Sequence, residues 1–303
     1  MRLVIHGQQA FGKAVLEKLL ARGEDVAGVF CAPGKEGRPM DPLQEFALEN
    51  DLTVHQPASW KTEESLELIK SFEPDLCVMA FVTLLIPEAV LNAPTHGTIQ
   101  YHPSLLPRHR GPSSINWPII QGATKTGLSI FWPDEGLDEG PILLQKEIEI
   151  GPDDTLGSLY FNHLFPMGVD ALAEGVDLVR AGNPPREKQN HDNFTYESWC
   201  QKADAEVDWS KPVQDVYNLI RGTNPQPGAW TVFDGNELYI FDCKMVDASG
   251  APGEVVEVSD AGIAVAAAGG GILIERVRPP ESGKIPAAEF IANSGIASGA
   301  ILG

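Results

Sequence analysis

The sequence predicts an α/β fold in two parts: an N-terminal domain with a mostly parallel sheet, and a small C-terminal β-barrel domain. In the first part, apolar segments typical of strands alternate with segments of helical spacing, which favours a parallel sheet with helices on both faces. A stretch rich in proline, asparagine and charge then interrupts the pattern. After it, short strand-like segments follow one another closely between glycine turns, which is typical of a small barrel.

The N-terminal domain is expected to cover residues 1–182. Its predicted strands, in chain order, are 3–5, 25–30, 52–55, 76–81, 97–101, 127–132 and 142–150. Apolar residues at three- and four-residue steps predict helices at 11–20, 43–50, 63–72, 87–91 and 114–121, and a long helical stretch at 155–180 interrupted around Pro166. The strand at 76–81 is apolar throughout, as expected of a strand buried on both faces.

Residues 183–205 are expected to form a linker, and residues 206–303 are expected to form the C-terminal domain. That domain opens with a predicted helix at 213–221. The strands predicted after the helix are 230–233, 237–241, 244–246, 253–258, 262–267 and 271–277. The run Gly269–Gly271 is expected to form a hairpin turn.

The chain of 303 residues carries 42 acidic and 22 basic residues, a net charge of −20. Strong nucleic-acid binders usually present a basic face, so this balance disfavours an RNA partner without excluding one. No apolar window of about 18 residues is present, so no membrane span is expected. There is no secretory leader pattern and no C-x-x-C pair, so we expect a cytoplasmic location and no zinc ribbon.

The turn after the first strand contains Gly7 and Gly12, at the position where a dinucleotide pyrophosphate docks in Rossmann enzymes. The G-x-G-x-x-G spacing is absent, and no P-loop motif occurs anywhere in the chain. A tight strand-to-helix turn is therefore favoured over nucleotide binding.

Two further segments carry candidate catalytic groups. His102 ends a predicted strand, and Pro103 restricts its backbone to extended values, so the histidine is held at the sheet edge where ligands bind. Such a histidine can act as a general acid or hydrogen-bond donor. The segment 134–140 is rich in carboxylates and contains two glycines. It is either a solvated hairpin turn or a loop whose glycines approach a ligand while one carboxylate accepts a proton.

These two segments together resemble the folate-dependent formyltransferase family. The resemblance rests on HPSLLPRHRG from His102, on GLDEG, which places Asp138 36 residues later, and on VDWSKPVQDVYNLIRGTNPQPGAW near the start of the C-terminal domain. Family members include methionyl-tRNA formyltransferases, sugar N-formyltransferases and the hydrolase module of 10-formyltetrahydrofolate dehydrogenase, which the chain resembles most. The resemblance implies a Rossmann-like catalytic domain followed by the family's C-terminal barrel.

The resemblance also implies the roles of particular residues. His102 and Asp138 match the catalytic pair, and Gln100 stands where the family usually has an asparagine. Glutamine keeps the amide but is one methylene longer, so it either donates to the formyl oxygen or folds away. The residues implied to bind the folate are Phe81, Leu84, Leu85, Ile86, Pro87, Asp134, Glu135 and Gly136.

The formyl donor implied by the resemblance is 10-formyltetrahydrofolate, and no metal or covalent nucleophile is expected. The acceptor is open between water, as in the hydrolase module, a small amine or sugar, and methionyl-tRNA. Methionyl-tRNA formyltransferases carry a basic insertion after the second strand, where Cys31–Pro39 is short and weakly basic. A non-enzymatic folate-binding or nucleotide-sensing α/β protein is the alternative from another class.

The charged triplet Arg108, His109 and Arg110 follows His102 closely in the chain. His109 is expected to face solvent. The two arginines are expected to meet either the glutamate tail of folate or an anionic acceptor.

Overall fold

The computed structural model describes residues 1–34 and 37–303, and its contacts divide the chain into two compact units. The first unit consists of Met1–Ser114, Gly127–Ile148 and Phe161–Glu197; the second consists of Ile115–Thr126, Glu149–Tyr160 and Ser198–Gly303. The boundaries expected from the sequence, 1–182, 183–205 and 206–303, stay predictions. Lys35 and Glu36, in the weakly basic segment Cys31–Pro39, lie outside the described residues.

A seven-stranded sheet forms the centre of the first unit. Its strands are β1 (Arg2–Gly7), β2 (Asp25–Phe30), β3 (Val54–His55), β4 (Leu76–Ala80), β5 (Thr98–His102), β6 (Lys125–Phe131) and β7 (Ile142–Glu149). They lie in the order β3-β2-β1-β4-β5-β6-β7. The neighbours from β3 to β5 pair in parallel, and β6 is antiparallel to β5. The predicted mostly parallel sheet is confirmed.

Except for the last, which the sequence analysis did not predict, the α-helices of the described residues lie where the sequence predicts them. They are α1 (Gln9–Ala21), α2 (Pro42–Glu49), α3 (Glu63–Ser71), α4 (Glu88–Leu91), α5 (Asn116–Ile120), α6 (Leu156–Leu159), α7 (Phe165–Arg180), α8 (Val213–Thr223) and α9 (Ala287–Ser294). A π-helical turn, Tyr160–Leu164, separates α6 from α7, and Pro166 lies in the first turn of α7. Proline fits there because the first helical N–H groups have no partner inside the helix.

The central strands are buried on both faces. All five residues of β4 are buried, and Leu3, Val4 and Ile5 of β1 are completely inaccessible to solvent. Continuous apolar strands are what a parallel sheet covered by helices requires.

The second unit contains two small antiparallel sheets, as the close-spaced strands predicted. The strands are β8 (Ala229–Phe233), β9 (Asn236–Ile240), β10 (Cys243–Val246), β11 (Val255–Ser259), β12 (Gly262–Ala267), β13 (Gly270–Ile274), β14 (Arg276–Arg278) and β15 (Ile285–Pro286). One sheet has the order β10-β13-β12-β11 and the other β15-β14-β9-β8. Ala267 pairs with Gly270 across the predicted hairpin turn, where Gly269 has a φ of +82°.

Over the two described ranges, no helix combines the length and the apolar character needed to cross a membrane.

Candidate active site

The strand order creates a crevice between β1 and β4. The chain proceeds from β1 to β2 and β3 on one side of the sheet and then returns to place β4 on the other side of β1. In open α/β sheets, ligands bind at the carboxyl ends of the strands at such a switch point. The backbones approach closely here, because a Cβ on Gly7 would lie 2.4 Å from the carbonyl oxygen of Ala80. Gly7 is therefore needed for strand packing.

The neighbouring strand β5 carries two of the predicted residues. His102 is its last residue, and Gln100 lies two residues earlier, so both side chains project from the same face of the sheet. Gln100 is half-buried, and its amide forms no hydrogen bond with the part of the chain that the structure describes. The amide of Gln100 is therefore available to another molecule on the face that carries His102.

The structure brings His102 and Asp138 together. The Nδ1 atom of His102 lies 3.6 Å from Oδ2 of Asp138, and the two residues are only 6% and 8% exposed. The Nε2 atom of His102 lies 2.9 Å from the carbonyl oxygen of His109. Because a carbonyl oxygen only accepts, Nε2 carries a proton, and Nδ1 is the ring atom that faces the carboxylate. At 3.6 Å the two groups are beyond a direct hydrogen bond.

The Asp138 carboxylate is fixed by the backbone of the neighbouring loop. The N–H of Gly111 donates to its Oδ2 atom at 2.9 Å. Gly111 has a φ of +101°, and a Cβ there would lie 2.3 Å from the carbonyl oxygen of Glu197. Any other residue would therefore displace the N–H that holds the carboxylate.

The glycines of the acidic loop serve the protein's own packing. A Cβ on Gly140 would lie 1.7 Å from the carbonyl oxygen of Trp132, and one on Gly136 would meet the side chain of Glu139. The N–H of Gly136 donates to the Asp134 carboxylate at 3.0 Å, as in an Asx turn. These contacts allow the loop to close on itself, and the expectation that its glycines approach a ligand stays a prediction.

A groove of about 450 Å³ lies beside the acidic loop. Among the described residues, those that line it are Lys61, Leu85, Ile86, Pro87, Glu88 and Glu135. The groove thus joins the segment after β4 to the acidic loop, the two segments expected to bind a folate. Phe81, Leu84, Asp134 and Gly136 do not line it, and Phe81 and Leu84 are 43% and 49% exposed.

His109 is buried, and the expectation that it faces solvent is wrong. The backbone N–H of His109 donates to Oγ1 of Thr195 at 2.8 Å, and the Nδ1 atom of its ring lies 3.2 Å from the carboxylate of Glu197. Burial lowers the pKa of His109, although the Glu197 carboxylate opposes this shift. The charge-rich sequence indicated an exposed triplet, but long-range partners satisfy this side chain inside the protein.

Arg110 is buried as well, with its side chain 2% exposed. Its guanidinium donates to Oε1 of Gln189 at 2.8 and 3.2 Å and lies 3.3 Å from Glu139. These contacts leave the guanidinium engaged within the protein and do not favour the expected contact with an anionic ligand. Arg108 is exposed.

Sequence reasoning missed three residues that support the site. Gln189 contacts Asp138, and Thr195 and Glu197 contact His109. All three lie in the segment 183–205 that the sequence predicted as a linker. The segment is polar and rich in charge, which is typical of a connection between domains. No local pattern distinguishes its buried side chains from its exposed ones, so only the fold identifies them.

The turn between β1 and α1 does not favour a nucleotide. The backbone N–H of Gln9, at the start of α1, donates to both carboxylate oxygens of Asp41 at 2.9 Å. A carboxylate of the protein thus occupies the place where a phosphate would dock at a helix N-terminus. His6 nearby is buried, with its ring 4.7 Å from that of Trp60, and burial lowers the pKa of His6 to about 3.

Residues 1–34 and 37–303 contain no cluster of three or more His, Cys, Asp or Glu side chains placed to hold a metal ion. Burial raises the pKa of the Cys31 and Cys77 thiols to about 12, which keeps both protonated at neutral pH. The expectation that no metal takes part stays a prediction.

The fold and these side chains define an α/β enzyme with a histidine–carboxylate pair at the carboxyl edge of its sheet. Residues 1–167 match the family model described as "Formyl transferase", and residues 200–295 match "Formyl transferase, C-terminal domain". The chain therefore belongs to the formyl transferase family, and the resemblance seen in the sequence is confirmed.

Two kinds of curated relative match the chain. It is 41% identical over 267 residues to the cytosolic 10-formyltetrahydrofolate dehydrogenase of Xenopus laevis, an alignment that covers 86% of this chain and 30% of that protein. It is 37% identical over 308 residues to the methionyl-tRNA formyltransferase of Geotalea daltonii, covering 100% of this chain and 98% of that protein. The chain thus spans about 30% of the length of the dehydrogenase.

Solved structures share the fold. HypX from Aquifex aeolicus, in complex with tetrahydrofolic acid, has a TM-score of 0.70 at 20% identity, over 96% of this chain and 47% of that one. An N-formyltransferase from Helicobacter canadensis, in complex with folinic acid and dTDP-3-aminofucose, has a TM-score of 0.69 at 17% identity, over 90% and 98%. At these identities the likeness shows the fold alone.

Proposed function

We propose that the chain removes the formyl group from 10-formyltetrahydrofolate and transfers it to water or to an amine, releasing tetrahydrofolate. The observation that carries the proposal is the approach of His102 Nδ1 to the Asp138 carboxylate at 3.6 Å, in a buried site on the same sheet face as Gln100. Such an arrangement places an imidazole and a proton acceptor next to each other, within reach of the same small reacting group.

The groove supports a folate as donor. Its volume of about 450 Å³ lies within the usual range of small-molecule sites. Leu85, Ile86 and Pro87 provide an apolar wall for a planar ring, and Glu135 provides an acceptor for ring N–H groups. The same surface would bind a pterin through one apolar face and one polar edge.

The chemistry follows from the electronic character of the donor. A formamide carbonyl is a weak electrophile, so attack on it requires stabilisation of the negative charge that develops on oxygen. The Nε2–H of His102 stays on the His109 carbonyl, so His102 donates to that oxygen through a proton on Nδ1, as an imidazolium. The amide of Gln100 adds a second donor. Asp138 accepts the proton of the attacking water or amine. The bond between the formyl carbon and N10 then breaks, N10 takes a proton, and formate or a formamide is released with tetrahydrofolate.

Water is the acceptor that we favour. The support is the 41% identity to a 10-formyltetrahydrofolate dehydrogenase and the net charge of −20, which opposes the approach of a polyanion. The expected cytoplasmic location and the absence of a metal belong to the same proposal.

Methionyl-tRNA formylation is the second candidate. One observation favours it: the chain aligns with 98% of the length of the methionyl-tRNA formyltransferase of Geotalea daltonii. A sugar amine is a third acceptor, because an N-formyltransferase in complex with an amino sugar shares the fold.

The deciding experiment measures tetrahydrofolate release from 10-formyltetrahydrofolate by absorbance, first without acceptor and then with charged initiator tRNA or an amino-sugar nucleotide. Release without acceptor is expected for the hydrolase. Release only with tRNA or with the amino sugar would replace water by that acceptor. Release in none of these conditions would point to another small amine as the acceptor. The chain is a binding protein only if His102→Ala and Asp138→Asn leave every measurable activity unchanged.

A further inference from the structure

Gln189 links the two loops that form the candidate active site. Its side chain is 6% exposed, and both ends of the carboxamide are bonded. The Nε2 atom donates to the carbonyl oxygens of Asp138 and Gly140 at 2.8 and 2.7 Å, and Oε1 accepts from Arg110 at 2.8 and 3.2 Å. The amino group and the carbonyl oxygen of the amide each form two hydrogen bonds, so its orientation is fixed.

The backbone of Asp138 requires such support. Asp138 has a φ of +56°, which lies in the left-handed region that residues other than glycine seldom adopt. Conformations of this kind persist only where the surroundings determine them. The Nε2 donor of Gln189 holds the carbonyl of Asp138 itself and that of Gly140, which closes the loop against Trp132.

The Oε1 end of the Gln189 amide acts on the Asp138 carboxylate indirectly, through the loop that carries Arg110 and Gly111. Arg110 is held by Gln189, and the next residue, Gly111, donates its N–H to the Asp138 carboxylate at 2.9 Å. One side chain thus fixes both the backbone that presents the carboxylate and the loop that orients it. Loss of Oε1 would remove two hydrogen bonds from a buried guanidinium and leave Glu139, 3.3 Å away, as its charged partner, so Arg110 would be held less firmly.

We infer that Gln189 is a positioning residue that holds the Asp138 carboxylate in place for proton transfer, an inference that rests on the proposed function. Among the described residues, Gln189 forms no hydrogen bond with His102 and does not line the groove, so it acts through Asp138. A misplacement of about 1 Å can lower a rate by about 10²-fold. Loss of the amide donor should therefore lower kcat while the folate, bound in the groove, keeps its KM.

Two substitutions distinguish the contribution of the Nε2 donor of Gln189 from that of its Oε1 acceptor. Gln189→Met removes every hydrogen bond at similar size. Gln189→Glu keeps an acceptor for Arg110 but places an anionic oxygen against the carbonyls of Asp138 and Gly140. The matched control is Gln56→Met, because the Gln56 amide also donates to a backbone carbonyl, that of Ala32 at 2.8 Å, outside the site.

The experiment measures kcat and KM for 10-formyltetrahydrofolate in the full-length chain, together with hydrogen exchange at the Gly111 amide. We expect both Gln189 variants to lose about 10- to 100-fold in kcat with little change in KM, and Gly111 to exchange faster than in wild type. Gln56→Met should match wild type in all three quantities. The inference is overturned if Gln189→Glu retains wild-type kcat and Gly111 protection, or if KM rises in parallel with the loss of kcat.

If Gln189→Met does not fold, the Gln189→Glu variant carries the test. The hydrogen-exchange measurement needs no turnover, so it tests the positioning role of Gln189 separately from the proposed function. A wild-type chain that releases no tetrahydrofolate defeats the proposed function, whereas normal release with unchanged Gly111 exchange in the Gln189 variants defeats the positioning role alone.

Discussion

Two histidines at the ends of parallel strands show what makes such a residue useful for chemistry. His6 lies near the end of β1 and His102 at the end of β5, and they are 5% and 6% exposed. His6 packs its ring against Trp60, and burial lowers its pKa to about 3. His102 instead has a carbonyl oxygen at Nε2 and a carboxylate facing Nδ1.

The difference lies in the partners rather than in the burial. Desolvation alone favours the neutral ring and leaves His6 unable to bind a proton near neutral pH. Around His102, oriented acceptors hold the ring and place a proton acceptor beside it. We therefore propose that position at the carboxyl edge of a sheet is insufficient for catalysis and that the polar surroundings decide the role.

The largest effect is expected from Asp138→Ala, which removes the proton acceptor on the His102 side of the comparison. We expect kcat to fall by about 10³-fold. Folate binding should survive, because a proton acceptor contributes to the chemical step more than to ground-state binding. Steady-state kinetics together with equilibrium binding of tetrahydrofolate check this, and a parallel loss of binding would indicate a structural role.

The same substitution at both histidines sharpens the comparison. His102→Gln should lower kcat by about 10²-fold, the usual cost of removing one donor to a developing oxyanion. His6→Gln should leave kcat unchanged, because His6 contacts Trp60 and has no place in the proposed chemistry. Steady-state measurement of kcat for both variants, with folding verified by circular dichroism, checks this prediction. Equal losses would mean that the two strand ends are not functionally distinct.

The third prediction concerns pH and stability. The pKa of His6 is about 3 in the folded protein, whereas an unfolded histidine has a pKa of about 6.5. Below pH 6.5 the unfolded chain binds a proton that the folded chain does not, so stability is full above pH 6.5 and falls as the pH drops. Between pH 7 and pH 5 this should cost about 2 kcal/mol.

His6→Gln removes that dependence. Denaturant unfolding at pH 7 and pH 5 should therefore show a smaller loss of stability in the variant than in wild type. The comparison cancels the other titrating groups, which both proteins share. Identical losses in the two proteins would mean that His6 is not held neutral by burial.

The smallest effect is expected at Gln100, which lies beside His102 on the same face of β5. Gln100→Asn shortens the amide and should change the ratio of hydrolysis to transfer without abolishing formyl release. Product analysis in the presence of a competing amine measures this ratio. An unchanged ratio would show that this position does not set the choice of acceptor.

Much of the fold follows from the sequence, because the apolar segments are long and their periods are clear. The strands β1, β2, β4 and β5 lie where the sequence predicts them, and so do the hairpin at Gly269 and the break between α6 and α7. Each of these features depends on residues that are close together in the sequence, so the local pattern of apolar residues, glycines and prolines is enough to specify it.

The site is only partly local. The motifs suggested His102 and Asp138, but their approach across 36 residues depends on how β5 and the acidic loop pack. The burial of His109 and Arg110 escaped prediction because their partners, such as Gln189, lie about 80 residues away in the chain. A charged triplet gives no sign that distant side chains will enclose it.

The most direct test of the account is a double-mutant cycle on His102 and Asp138, read out as single-turnover loss of formyl from 10-formyltetrahydrofolate. If the two side chains act as one unit, His102→Gln combined with Asp138→Ala should lose about 10³-fold, no more than the Asp138 variant alone. Losses that multiply to about 10⁵-fold would mean that the two residues act independently. That result would contradict the claim that their approach at 3.6 Å is the catalytic arrangement.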